Sequence, residues 1–358
     1  MRASAFVLLP LIVAASLRRK NNKVLCEGYG GAESFGYTNV TGSNRYFHAL
    51  IDADKNQSSS PTFVYMSGGP GLSSVGEIYI NGPCVIDEDD EDLAILAANE
   101  LCLLCEGLID RYSWTKTANG IYIDSPGETG FSLGPTEATM DQQVENLIKE
   151  MEKNESAFIE IAKAGQTTPE GHQPDPEAYG KVARAFSQMI MHPLKDRYTS
   201  PYDVRTSPGE ESDQFYFLPV ESTGQMNRKS IQAKLGVDKE WIEREWQVTD
   251  DFGKYLGYDT SSVVAELLDE GLKLFVFNGE EDYMTNCEGA LSWMSKLKGK
   301  EDYGKAITAA VAKPIEIDEV DELGTIRQAK FVTGGSLSFI QVIRSFSFAA
   351  QLWPRASG

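Results

Sequence analysis

Residues 112–134 read YSWTKTANGIYIDSPGETGFSLG. Within this stretch Gly120–Asp124, GIYID, is a short apolar run of β-branched and aromatic residues closed by SPG, which predicts a strand ending in a turn. A few residues on, Gly130–Gly134, GFSLG, fits the G-x-S-x-G pattern in which a nucleophilic serine stands on a sharp strand-to-helix turn. The two pieces do not combine into such an elbow. Seven residues separate Asp124 from Ser132, Pro135 follows, and helical patterning resumes only near Thr139. An elbow needs its serine directly between strand and helix, so Ser132 is read as a structural loop residue.

The patterning around this stretch sets the fold class. Residues 61–67, PTFVYMS, predict a short buried strand running into Gly68–Gly71, GGPG. From Thr139, TMDQ has the form of a capping box with Thr139 as cap and Gln142 three residues on. The apolar stripe of Met140, Val144, Leu147, Ile148 and Met151 continues it as a helix to about residue 163. Residues 166–178, QTTPEGHQPDPEA, read as a Pro- and Gly-rich linker. Helical patterns resume over 179–193 and 229–247. Residues 261–283 predict a helix, a glycine turn, a buried strand and an acidic loop, and 336–344, SLSFIQVIR, a last strand. Strands alternating with helices predict an α/β fold, with a mostly parallel sheet covered on both faces.

Composition narrows the function classes. The chain has 358 residues, enough for one large domain or two smaller ones, and is 41% hydrophobic and 24% charged, as globular proteins are. Its net charge of −20 excludes nucleic acid as the expected partner, because phosphate binding needs a basic patch. Residues 87–92, DEDDED, read as a solvated loop. At the N-terminus, Arg2 precedes an uncharged, mostly apolar run from Ala3 to Leu17, which predicts a signal peptide over residues 1–17 and no membrane span after its removal. The alternative is an anchor held by Arg18, Arg19 and Lys20. Sequons at Asn39, Asn56 and Asn154 fit a secretory route. Five cysteines (Cys26, Cys84, Cys102, Cys105 and Cys287) leave at least one unpaired within the chain in an oxidising compartment. The pair Cys102 and Cys105 lies in an apolar helical context and suits a disulfide or plain core better than metal. No H-E-x-x-H or P-loop pattern is present, so no metal and no cofactor is expected.

Several pieces of the chain, in order, resemble the serine carboxypeptidases, a secreted and vacuolar branch of the α/β-hydrolases. SGGPGLSS (67–74) is similar to that family's N-G-G-P-G-C-S-S, and NGPC (81–84) to its following G-P. YSWTKTANGIYIDSPGETGFSLG is similar to Y-S-W-N…A-N-x-x-x-x-D-x-P-x-x-x-G-F-S-Y, and YDVR (202–205) to Y-D-I-R. LLDEGLKLFVFNGEEDYMTN (267–286) resembles L-L-x-x-G-I-x-V-L-V-Y-x-G-x-x-D-x-x-C-N. The resemblance implies an α/β-hydrolase-type sheet with a shortened cap insertion. Its expected parts are the N-terminal core over 35–165, a linker and reduced helical cap over 166–260, and the C-terminal core over 261–345. It places GFSLG on the family's G-F-S-Y segment, away from the nucleophile.

The resemblance also implies what is missing. The family's nucleophile segment, G-E-S-Y-A-G, has no counterpart here: the chain passes from AFIEIAKAG to QTTPEGH, and the central strand that would carry the serine is absent with it. The three histidines, His48, His172 and His192, all precede Asp282, the position of the triad aspartate, whereas the triad order requires the base to follow. What remains is Gly69, at the position of an oxyanion-hole N–H, and Gly68, at that of a backbone donor to the substrate carboxylate. Ser67 stands in place of the family's Asn, Tyr65 of its Trp, Ile80 near its Glu, and Leu72 of its half-cystine.

The function implied is serine-type release of C-terminal residues from peptides and proteins, in the secretory pathway, the vacuole or the lysosome. The residues as written lack the serine and histidine for it. Either the chain is an incomplete version of an active enzyme, as the sharp edges of the losses near Gly165 and Val342 suggest, or it is a catalytically dead glycoprotein that binds a peptide or protein partner. An acyltransferase of the same family would need the same missing triad.

Overall fold

The computed structural model describes residues 25–26, 29–79, 81–86, 95–97, 113–138, 142, 146, 202–205, 224–253, 260–317 and 320–343. The expectations for the signal peptide, DEDDED, Ile80, Cys102 and Cys105, Thr139 and the body of its helix, Asn154, the 166–178 linker, His172 and the 179–193 helix with His192 fall outside them.

The first half is built on a hairpin. β1 (Glu33–Asn39) and β2 (Arg45–Ile51) pair antiparallel from Glu33↔Ile51 to Asn39↔Arg45. The turn between them closes through the Val40 N–H donating to the Asn44 carbonyl at 3.0 Å. β3 (Thr62–Tyr65) precedes a 3-10 turn over Val75–Tyr79, and β4 (Cys84–Ile86) pairs antiparallel with β5 (Ile95–Ala97). β6 (Asn119–Ile123) is the predicted GIYID strand, antiparallel to β2 and parallel to β3, so the sheet order is β1-β2-β6-β3. Burial on both sides of β6 explains its continuous apolar run. Phe47 packs edge-on between Tyr37 and Phe131 at centroid distances of 5.1 and 5.3 Å. Cys26 and Cys84 form a disulfide inside this core, which pins the segment before β1 to the start of β4.

One helix was expected over 229–247. The structure instead has two: α1 (Lys229–Leu235) and α2 (Trp246–Phe252). Gly236 takes the left-handed conformation at φ 76°, and its N–H caps the Gln232 carbonyl at 2.8 Å, so α1 ends there. The chain then crosses the GGPG loop as a strap. The Ser73 N–H donates to the Glu243 carbonyl and the Glu245 N–H to the Gly71 carbonyl, each at 2.8 Å, with Leu72 facing Arg244 between them. Trp241, within the strap, is 1% exposed and donates its indole N–H to Ser73 Oγ at 3.0 Å. Met226, Ile231, Leu235 and Trp241 thus complete the core of the first half.

The bonds on either side make Leu72 and Arg244 a non-hydrogen-bonded antiparallel pair, the arrangement that brings facing Cα atoms to about 4.5 Å. The double variant Leu72→Cys/Arg244→Cys is therefore expected to form a disulfide and gain about 2–4 kcal/mol over its reduced form. Thiol titration and urea midpoints with and without reductant check this; two free thiols under oxidising conditions would count against the geometry.

The second half contains α3 (Ser261–Asp269), β7 (Lys273–Gly279), α4 (Cys287–Met294), α5 (Tyr303–Ala309), β8 (Lys313–Ile317), β9 (Val320–Lys330) and β10 (Ser336–Val342). Its sheet order is β7-β10-β9-β8, parallel between β7 and β10 and antiparallel elsewhere. α4 and α5 begin on side-chain caps: Asn286 Oδ1 accepts from the Gly289 N–H at 2.7 Å and Asp302 Oδ1 from the Lys305 N–H at 3.0 Å. All three helices contribute to one apolar cluster with Leu337 and Phe339 of β10, and Leu274 and Val276 of β7 pack against it.

Two expectations change here. β7 is not a buried strand: its exposure alternates, and Phe275 and Phe277 on its outer face are 59% and 48% exposed. The reason is that β7 ends its sheet and the helices cover only the Leu274/Val276 face. Among the described residues the sheets are mixed, with parallel pairing at β3–β6 and β7–β10. β3 and β7, each paired parallel to a single neighbour, are terminal strands, and among the described residues no strand pairs with either outer edge.

Candidate functional site

The predicted site residues fall into two groups. Tyr65 ends β3 and leads into Ser67 and the turn Gly68–Gly71. Gly69 (φ 142°) and Gly71 (φ 97°) give this turn its shape. The Ser67 N–H donates to Ser74 Oγ at 3.0 Å, and the Thr249 hydroxyl donates to the Pro70 carbonyl at 2.6 Å, so the turn is tied both to the 3-10 turn and to α2. A side chain at Gly68 would meet nothing within 4 Å, so this position faces open space.

Glu77 joins this group, and sequence reasoning missed it. The resemblance aligns the family's acid near Ile80, which lies outside the described residues; Glu77, in the 3-10 turn, is buried and its Oε1 lies 3.4 Å from Ser67 Oγ. Burial next to Glu77 pushes the Tyr65 hydroxyl well above its ordinary value. The available signal was an acid in the S-S-V-G-E run after GGPG, within one tight turn of the serines.

Asp282 stands in the other half, in the loop after β7. It is 2% exposed. Its Oδ1 accepts the Thr285 N–H at 3.0 Å and its Oδ2 the Thr285 hydroxyl, so both carboxylate oxygens bind within their own loop. Burial pushes the Asp282 carboxyl up while Thr285 holds it down. Next to it the segment 202–205 docks through the Val204 N–H on the Glu281 carbonyl at 2.9 Å. Asp203 there takes a two-pronged contact from Arg205, at 2.8 Å from Nε and 2.6 Å from the terminal nitrogen. Among the described residues no cluster of three or more His, Cys, Asp or Glu could hold a metal ion.

Ser132 is fully buried. Its hydroxyl donates to the Asp124 carbonyl at 2.7 Å and accepts the Phe47 N–H at 2.8 Å, which sews the loop to β2 and the end of β6. A nucleophile needs a free, accessible oxygen beside a base, and this one is neither. The glycine that opens GFSLG is explained by Asp124. A Cβ on Gly130 would stand 2.2 Å from Asp124 Oδ2, and its φ is 50°. Asp124 itself is a buried hub. Its Oδ1 accepts from Ser73 Oγ at 2.7 Å and from the N–H groups of Ser74 and Val75 at 2.9 and 3.1 Å; its Oδ2 accepts the Phe131 N–H at 2.9 Å.

Helices packed on β7 and β10, an acid in the loop after β7 and a glycine turn after β3 fit a fold of α/β-hydrolase type. The family model "Serine carboxypeptidase" matches residues 29–169 and 141–349, and the chain belongs to that family. Among curated relatives it is 30% identical over 146 residues to serine carboxypeptidase-like 9 of Arabidopsis thaliana, covering 38% of this chain and 31% of that protein. It is 37% identical over 92 residues to serine carboxypeptidase-like 20 of the same plant, covering 25% of this chain and 16% of that protein. The matched region thus spans less than a third of either relative. A solved structure of similar fold is that of Kex1(Δ)p, a prohormone-processing carboxypeptidase from Saccharomyces cerevisiae, at a TM-score of 0.61 and 13% identity, covering 89% of this chain and 88% of that one.

Proposed function

We propose that this chain is an incomplete serine carboxypeptidase that keeps the family's framework and does not hydrolyse peptides. The observation that carries this reading is the order of its residues: residues 283–358 contain no histidine, so this stretch offers no imidazole to take a proton from an attacking hydroxyl. Three features of the fold support it. Both carboxylate oxygens of Asp282 are bound by Thr285. The serine of GFSLG is buried and saturated. β3 and β7, each parallel to its one neighbour, are terminal strands, and among the described residues no strand pairs with either outer edge. In this reading Gly69 would supply one oxyanion donor of two, and Ser67, Gly68 and Tyr65 would face the C-terminus of a peptide or protein with the acid of Glu77 beside them. The chain travels the secretory pathway, to the outside or to the vacuole or lysosome, in keeping with the Cys26–Cys84 disulfide.

The test is a serine-reactive fluorophosphonate probe applied to the purified chain. No covalent labelling is expected, and none should appear or vanish in Ser132→Ala. Stoichiometric labelling that a single Ser→Ala substitution abolishes would overturn the proposal.

A further inference from the structure

We infer that Asn39 and Asn56 are acceptors of N-linked glycans that stand at opposite ends of the β1–β2 hairpin. Asn39-Val40-Thr41 and Asn56-Gln57-Ser58 are intact sequons. A sequon alone is common; the fold adds what makes these two usable. Strand alternation turns Thr38 and Val40 inward, at 2% and 3% exposure, and so turns Asn39, the last residue of β1, to solvent. Thr41 is exposed beside it in the hairpin turn. Asn56 is exposed in the turn that follows β2, at φ 56°, with the N–H groups of Ser59 and Ser60 closing on its carbonyl at 2.9 and 3.0 Å.

The side-chain amides of Asn39 and Asn56 make none of the hydrogen bonds described. Other asparagines of this half do the opposite. Asn44 and Asn81 are buried, and Asn119 accepts the Ala53 N–H at 2.8 Å. The Cys26–Cys84 disulfide is the second observation: it marks the oxidising compartment in which glycan transfer takes place. The inference therefore rests on the secretory reading above.

The step is a group transfer. The asparagine Nδ2 loses a proton to solvent base and bonds to the anomeric carbon of an oligosaccharide carried on a lipid diphosphate. The anomeric C–O bond breaks and the lipid diphosphate leaves. Because Asn39 faces Arg45 across the hairpin turn while Asn56 follows the far end of β2, the two glycans bracket β1, the outer strand of its sheet.

The experiment expresses the full chain in eukaryotic cells behind a heterologous signal sequence and maps its peptides before and after treatment with peptide N-glycosidase. Thiol alkylation of the same sample reports whether Cys26 and Cys84 are paired. Conversion of Asn39 and Asn56 to aspartate is expected, with one glycan mass step lost in Asn39→Gln and one in Asn56→Gln. Chains whose Cys26 and Cys84 are paired but whose Asn39 or Asn56 is unmodified overturn the assignment. The disulfide readout keeps that result distinct from a failure to enter the pathway.

Discussion

Replacing Asp124 by alanine is expected to cost on the order of 4 kcal/mol, enough to unfold much of the first half at ambient temperature. The side chain is fully buried and accepts from four donors: the Ser73 hydroxyl and the N–H groups of Ser74, Val75 and Phe131. Alanine leaves all four without a partner in a site that the packed loop closes. Burial pushes the Asp124 carboxyl up, and its four donors hold it down. Asp124→Asn refines the test. Its remaining oxygen can still serve Ser73, Ser74 and Val75, while its NH2 would face the Phe131 N–H, so a loss of about 2 kcal/mol is expected. Urea midpoints at constant slope measure both variants. An alanine variant within about 1 kcal/mol of the parent would show that the hub does not hold the loop.

The second large effect depends on pH. Glu33, at the start of β1, accepts the Leu25 N–H at 2.5 Å and the Cys26 N–H at 3.0 Å, beside a cleft it shares with Phe35, Lys234 and Leu235. Burial raises its carboxyl from an ordinary 4.5 to about 7, against the pull of those two N–H groups and of Lys234. A carboxyl raised in the folded state favours folding when protonated. Its contribution is therefore complete below pH 4.5 and is lost as pH rises through about 7. The window corresponds to up to about 3 kcal/mol. Glu33→Gln, which cannot ionise, should flatten this part of the stability profile and be relatively more stable than the parent at pH 8 than at pH 4.5. Melts of both proteins across that range decide it, because other titrating groups cancel in the difference. Identical profiles would remove Glu33 as the cause. The direction of the effect suits an acidic compartment.

GIYID and SLSFIQV were legible because burial of most of their residues writes itself as a continuous apolar run; each became a strand within two residues, and so did PTFVYMS, although β3 is half-buried rather than buried as expected. The hairpins were not. β1 and the described part of β9 are mostly half-buried and mix polar with apolar residues, so neither period stands out. The expected helix over 229–247 failed at Gly236, where a left-handed cap outweighed a pattern that is apolar on both sides of it. For the site, the spacing between Asp124 and Ser132 was enough to remove Ser132 as a nucleophile, and its buried hydroxyl agrees. The Glu77–Ser67 contact was hidden because it joins residues ten apart across the GGPG turn, which no helical or strand period encodes. The Trp241–Ser73 bond links residues 168 apart, and no local pattern encodes it.

The strap has a consequence for the order in which this chain comes off the ribosome. Phe131 and Trp241 share one apolar core, yet roughly 110 residues of synthesis separate them. At ordinary elongation speeds the nascent first sheet waits about 5–20 seconds for Trp241, Leu235 and Ile231 to arrive. Segment 202–205, made in that interval, docks instead on the loop after β7, which is not yet translated. The two halves are thus interlaced along the message, and no single cut in it yields either one whole.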